Sequence, residues 1–193
     1  MKVIILCEFS GTVRDAFISR GHDAISCDLL PSEKPGPHIQ RDCRTVGMRG
    51  FDLAICHPPC TYLCNSGVRW LTGNAERWSK MVDAAKFFRW MLELPVPMVA
   101  VENPVMHKHA VEIVGRRQDQ LIQPWQFGHG ETKATCLWLK GLPKLDASNV
   151  VSGREAKVHR MPPSENRWKE RSRTYQGIAD AMAEQWGNVL ATA

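Results

Sequence analysis

Residues 51–62, Phe-Asp-Leu-Ala-Ile-Cys-His-Pro-Pro-Cys-Thr-Tyr, constrain the fold more than any other stretch of this chain. Apart from Asp52, the run from Phe51 to Cys56 is apolar, and it stops at Pro58 and Pro59. A short apolar run bounded by a turn suits a strand buried in a parallel sheet. Proline has no amide hydrogen to continue the ladder, so the strand must end there. Ligands of open α/β sheets bind at the carboxyl ends of such strands. Cys60 stands at that end on a backbone stiffened by two prolines, which makes it a candidate nucleophile. Cysteine also serves as a small buried hydrophobe, and the local sequence leaves both readings open.

The flanking sequence repeats the pattern. Residues 3–7 read as a first strand, followed by the turn Glu8-Phe9-Ser10-Gly11-Thr12 and a helix with Val13, Phe17 and Ile18 on one face. Strand, glycine turn and helix open a Rossmann-like unit, whose helix N-terminus offers unpaired N–H groups. The full G-x-G-x-x-G is absent, and an ordinary βα turn would use Gly11 in the same way. Residues 23–28 read as a second strand ending in Asp28, where such folds grip ribose hydroxyls. Residues 31–38 are a proline-rich loop, and residues 39–42 a short third strand ending in Asp42. Residues 61–74 read as a loop and 75–94 as the longest helix, with a stripe of Trp78, Met81, Val82, Ala85, Phe87, Phe88 and Met91. Residues 98–104 form the next strand, ending in Glu102-Asn103-Pro104, and residues 105–115 a helix. Residues 120–125 and 135–139 are two further strands, and residues 178–190 a last helix. Between them, residues 140–173 carry nine Lys or Arg against four acids and read as a basic loop, either solvated or in contact with phosphates.

A chain of 193 residues is most simply one domain, 1–193. Seven cysteines, an odd number without a secretory signal, suit reduced thiols in a cytoplasmic protein. No apolar run approaches the roughly 20 residues that span a bilayer. A net charge of +5 permits a nucleic-acid partner without requiring one.

The order of these features, Phe9-Ser10-Gly11, Asp28, Asp42, Pro58-Pro59-Cys60 and Glu102-Asn103-Pro104, resembles the cytosine 5-methyltransferases of DNA. Weaker echoes are Phe127-Gly128 to Thr135 and Tyr175-Gln176-Gly177. The match covers roughly residues 3–140 and the terminal helix, and small phage-encoded proteins look similar. The resemblance implies a Rossmann-like doubly wound α/β sheet of the S-adenosylmethionine-dependent methyltransferase type, acting as a monomer on DNA in a bacterial cell or phage-infected host. It implies Cys60 and Glu102 as catalytic residues, with Pro59, Asn103 and Lys133 at the base. S-adenosyl-L-methionine would be held by Phe9, Ser10, Gly11, Asp28, Asp42, Pro58, Tyr175 and Gly177. Arg154, Lys157, Arg160, Arg167, Lys169, Arg171 and Arg173 would meet nucleic acid.

This sequence departs from the family in four places. Pro104 follows Glu-Asn, and Glu131-Thr132-Lys133-Ala134-Thr135 stands where the family has Gln-x-Arg-x-Arg. Gly177-Ile178-Ala179 replaces Gly-Asn-Ser. The basic stretch 140–173 occupies the place of a target-recognition domain. Three rival readings stand beside the resemblance. One is a metal site at His57, Cys60 and Cys64, completed by Cys56 or Cys136, although no second Cys-x-x-Cys pair is present. The second is an amino-methyltransferase, whose Pro-Pro-aromatic pattern is here Pro-Pro-Cys. The third is a homologue that binds nucleic acid without catalysis, or acts on another pyrimidine or with another donor.

Overall fold

The computed structural model describes residues 1–189; Leu190, included in the last expected helix, lies outside the described residues. The expected α/β architecture is present. Strands β1 (Lys2–Leu6), β2 (Asp23–Asp28), β3 (His38–Gln40), β4 (Leu53–Cys56), β5 (Met98–Pro104), β6 (Gln120–Ile122) and β7 (Thr135–Lys140) form one sheet. Its order is β3-β2-β1-β4-β5-β7-β6. The ladders joining β1 to β5 are parallel, whereas β7 runs antiparallel to both β5 and β6. This is a Rossmann-like doubly wound sheet, and its order reverses between β1 and β4.

Side chains of a strand alternate between faces, so a strand covered on both sides must be apolar throughout. In β1, Val3 and Ile5 pack with helices α1 (Thr12–Ile18) and α6 (Gln176–Gly187), and Ile4 and Leu6 with α2 (Ala75–Leu92) and α3 (Lys108–Val114). All four are fully buried, each stabilising the fold by about 1.5–3 kcal/mol. Met81, Ala85, Phe88 and Met91 form the buried stripe of α2, while Trp78 is partly exposed against His109. Ile178, Met182 and Trp186 form that of α6. On α1, Ile18 is exposed, and the buried face is instead Val13, Ala16 and Phe17 together with Arg14.

Several boundaries differ from the sequence reading. β3 starts at His38 and ends at Gln40, because Asp42 caps a 3-10 turn, Cys43–Thr45. Asn65–Leu71 is 3-10 helix within the expected loop. α3 begins only after His107, whose ring accepts the Ala110 N–H at 3.1 Å. Before it, the backbone near Met106 is still paired with Cys64. β6 stops at Ile122, since Pro124 opens another 3-10 turn. The basic stretch is no continuous loop: it holds α4 (Lys157–Arg160) and α5 (Arg167–Ser172). Among the described residues, no helix is long and apolar enough to cross a membrane.

Candidate active site

The parallel strands bring their carboxyl ends to one rim. Because β7 is antiparallel, it starts at that rim: Thr135 lies opposite Pro104, and Cys136 opposite Asn103. Residues before β7, including Lys133, therefore meet the end of β5.

After β1, the chain turns through Glu8, Phe9, Ser10 and Gly11. Gly11 has φ of +71°, and a Cβ there would lie 2.5 Å from an Arg14 guanidinium nitrogen. Only glycine meets both demands without strain. Sequence reasoning overlooked Glu8, which is 5% exposed. Its carboxylate accepts the Val13 N–H at 2.6 Å and the Arg14 N–H at 3.3 Å. The first turn of α1 is thus partly capped from within, and the unpaired donors expected there are not all free. The Ser10 hydroxyl donates to Glu8 and accepts from Thr12 N–H, both at 3.3 Å. Phe9 is buried, 6.1 Å from the ring of Trp168 on α5.

At the end of β2, Asp28 is partly buried and accepts the Leu30 N–H at 2.9 Å. Burial raises its carboxyl above the ordinary range, against that hydrogen bond and the nearby His38 and His57. Asp42 is turned to a different task. Arg44 grips both of its oxygens, at 2.5–3.0 Å, and holds its carboxyl down at about 2.

Beyond β4, the His57 N–H donates to the Leu6 carbonyl at 2.9 Å. Pro58 is buried, Pro59 exposed and Cys60 partly buried. The Cys60 thiol shares a hydrogen bond with Cys64, which together with burial raises Cys60 well above the usual thiol range; Lys133 opposes this. The same bond, aided by Ser66 at 3.2 Å, pulls Cys64 down to about 5. Glu102, on the neighbouring strand β5, lies with its Oε2 3.2 Å from His57 Nδ1. Burial pushes the Glu102 carboxyl up, but His57 and Lys133 outweigh it and hold it below the ordinary carboxyl value. Asn103 is fully buried, its Nδ2 donating to the Pro104 carbonyl at 2.7 Å. Asn103 Oδ1 and His57 Nε2 are buried without a protein partner. Buried polar atoms are nearly always satisfied, so two orphans at one rim mark where a ligand or water belongs. Lys133 Nζ donates to the Arg173 carbonyl at 3.0 Å and lies 5.7 Å from the Tyr175 ring centre.

Tyr175 and Gly177 are at the start of α6. The Tyr175 hydroxyl donates to Glu131 at 2.7 Å, and the Gly177 N–H donates to His129 Nε2 at 3.0 Å. A Cβ on Gly177 would collide with the Phe127 carbonyl. Glu102, Lys133, Thr135 and Tyr175 share the lining of a small cavity with Thr174, Ile178 and Met182.

The basic residues fall into two groups. Arg173 is held by Glu33 at 2.8 Å and Glu170 at 2.6 Å, and Lys157 by Glu131 at 3.1 Å. Arg154 stacks over Trp125 at 3.8 Å. Arg167 is partly buried, and Lys169 lies beside the Trp168 ring. Arg160 is exposed and Arg171 partly so. Among the described residues, no group of three or more His, Cys, Asp or Glu is placed to hold a metal ion.

Fold and rim together define a Rossmann-like α/β protein whose strand order reverses between β1 and β4. No family model and no curated protein matches the chain. Solved structures similar to it include two methyltransferases. One, described as a DNA modification methyltransferase encoded within an E. coli prophage, shares 14% identity at a TM-score of 0.45, over 72% of this chain and 46% of the other. The other is the Entamoeba histolytica methyltransferase EhMeth, with 14% identity and a TM-score of 0.47, over 78% of this chain and 57% of the other. The chain spans about half the length of each.

Proposed function

We propose that this protein is a DNA cytosine 5-methyltransferase that transfers a methyl group from S-adenosyl-L-methionine to carbon 5 of cytosine. The observation that carries the reading is that Cys60 follows β4 and Glu102 lies on the adjacent β5, at one sheet rim with Lys133 near both. The donors present suit the cofactor. Asp28 offers a partly buried carboxylate to ribose hydroxyls, and Gly11 permits close backbone approach. Phe9 and Pro58 supply apolar cover. Tyr175 and Gly177 border the same rim, whereas the Asp42 carboxylate is engaged by Arg44, leaving its contribution to the backbone. When bound, S-adenosyl-L-methionine supplies an electrophilic methyl group.

The chain's own residues prepare the base. Carbon 5 of cytosine becomes nucleophilic once the Cys60 sulfur bonds to carbon 6. Cys60 gives its proton to the neighbouring Cys64 sulfur as the bond to carbon 6 forms; until then the shared hydrogen bond holds Cys60 as the thiol. Glu102 meets ring N3, Asn103 Oδ1 can accept from the exocyclic amine, and Lys133 offsets developing negative charge. Loss of the carbon-5 proton after transfer expels Cys60 as thiolate. A duplex base must leave the stack to reach such a site, and Arg154, Arg160, Arg167, Lys169 and Arg171 offer charge for the backbone.

The test is incubation with labelled S-adenosyl-L-methionine and cytosine-containing single- and double-stranded DNA, followed by nucleoside analysis. The expected product is 5-methylcytosine, with a covalent adduct on 5-fluorocytosine DNA that Cys60→Ser abolishes. Labelled N4-methylcytosine or no modified base would overturn the reading. One observation favours a smaller substrate: Lys157 and Arg173 are committed to internal ion pairs, which reduces the charge available to phosphates. A parallel reaction with free cytosine nucleotides decides between a polymer and a monomeric pyrimidine.

A further inference from the structure

We infer that His57 serves as the proton reservoir of Glu102, a positioning residue that supplies through the carboxylate the proton needed at cytosine N3. This rests on the function proposed above.

His57 is set with little freedom. It follows β4 directly, its N–H is tied to Leu6 on β1, and Pro58 holds its backbone extended. Its side chain is 8% exposed and that of Glu102 is 14% exposed. The Nδ1–Oε2 distance of 3.2 Å is a hydrogen bond, with Nδ1 the protonated nitrogen by the nature of its partner. The other nitrogen, Nε2, is buried without a protein partner and is free to hold a second proton. Imidazole is the side chain that exchanges protons near neutrality.

The chemistry requires such a reservoir. When sulfur bonds to carbon 6, the displaced π pair moves through the ring and ends on N3, which must take a proton. An ionised Glu102 has none to give, and the His57 contact at 3.2 Å favours that ionised form. With the ring doubly protonated, Glu102 takes the Nδ1 proton of His57 and delivers it to N3, leaving neutral imidazole and an ionised carboxylate. Expulsion of Cys60 reverses both transfers, so proton and charge balance over the cycle. The groups facing the pair suit this cycle. Glu102 on β5 and Asp28 at the end of β2 attract a positive ring, and Lys133 before β7 opposes it. Cys136 on β7 and Cys60 on the same turn are the remaining titratable groups around Glu102.

Single-turnover transfer to cytosine DNA, followed across the neutral pH range, tests the inference in the wild type and in His57→Gln. Glutamine keeps a donor for Glu102 but cannot supply a proton. The expected result is unchanged cofactor binding, a rate roughly 10²-fold lower, and loss of the alkaline limb that the wild type shows. A His57→Gln protein with wild-type rate and limb would overturn the inference. If that variant does not fold, nitrogen-15 NMR of the wild-type imidazole decides: both ring nitrogens must be protonated in the active range, and a bare nitrogen there overturns the idea. A wild type without transfer sinks the proposed function as well, whereas an unaltered His57→Gln profile sinks this inference alone.

Discussion

At the scale of single residues, the rim is a set of groups held away from their preferred state. Asp28 is the clearest. Burial raises its carboxyl, so ionisation near neutrality costs stability in the free protein. Hydroxyl donors from a bound ribose would offset that cost. Asp28→Asn should therefore raise the melting temperature while weakening S-adenosyl-L-methionine binding at least tenfold, as measured by calorimetry. A melting temperature that falls would refute the burial account. The thiol pair carries a second expectation. Cys64 is the first cause of the raised Cys60 thiol, so Cys64→Ala should make Cys60 more acidic. Mass mapping after brief iodoacetamide treatment at neutral pH should find Cys64 modified first in the wild type, and faster Cys60 modification in the variant. That Glu102 and Cys60 lie at one sheet rim was legible because Glu-Asn and Pro-Pro-Cys each end an apolar run. The contact of His57 with Glu102 was not, since residues 45 apart meet only when β4 and β5 lie side by side.

At the scale of elements, α5 behaves as a strap across the first turn of the sheet. Trp168 leans on Phe9, and Arg173 reaches back across 140 residues to grip Glu33 with two nitrogens. The Arg173 and Glu33 side chains are 36% and 34% exposed, so their pair contributes about 0–1 kcal/mol. Arg173→Ala should thus leave the melting temperature nearly unchanged yet speed tryptic cleavage within residues 160–171. Equal cleavage rates would show that Trp168 alone holds the strap. Sequence periodicity had no means of finding α4 and α5. Helices of four and six residues are unstable in isolation, and tertiary contacts hold them in place. Strands β1, β2, β4 and β5 were legible because burial on both faces demands unbroken apolar runs. The reversed direction of β7 was not, since an apolar run has no polarity.

For the molecule as a whole, the two faces of the sheet carry separate apolar layers, and buried carboxylates join them at the rim. Glu102 and Glu131 are both held below the ordinary carboxyl value in the folded state. Their contribution is fully present above the unfolded value of about 4.3 and is lost as pH falls through the lower folded value. Melting temperature should fall through that acid window, and less so in Glu102→Gln; an equal fall would place the acid sensitivity elsewhere. The packing of α6 on α1 has a consequence for the order in which the chain is made. Val3, Ile5 and Phe17 leave the ribosome early, yet Ile178, Met182 and Trp186, which cover them, emerge on the order of ten seconds later at usual synthesis rates. Through that interval the nascent sheet presents a bare apolar face, and a chaperone has that long to find it.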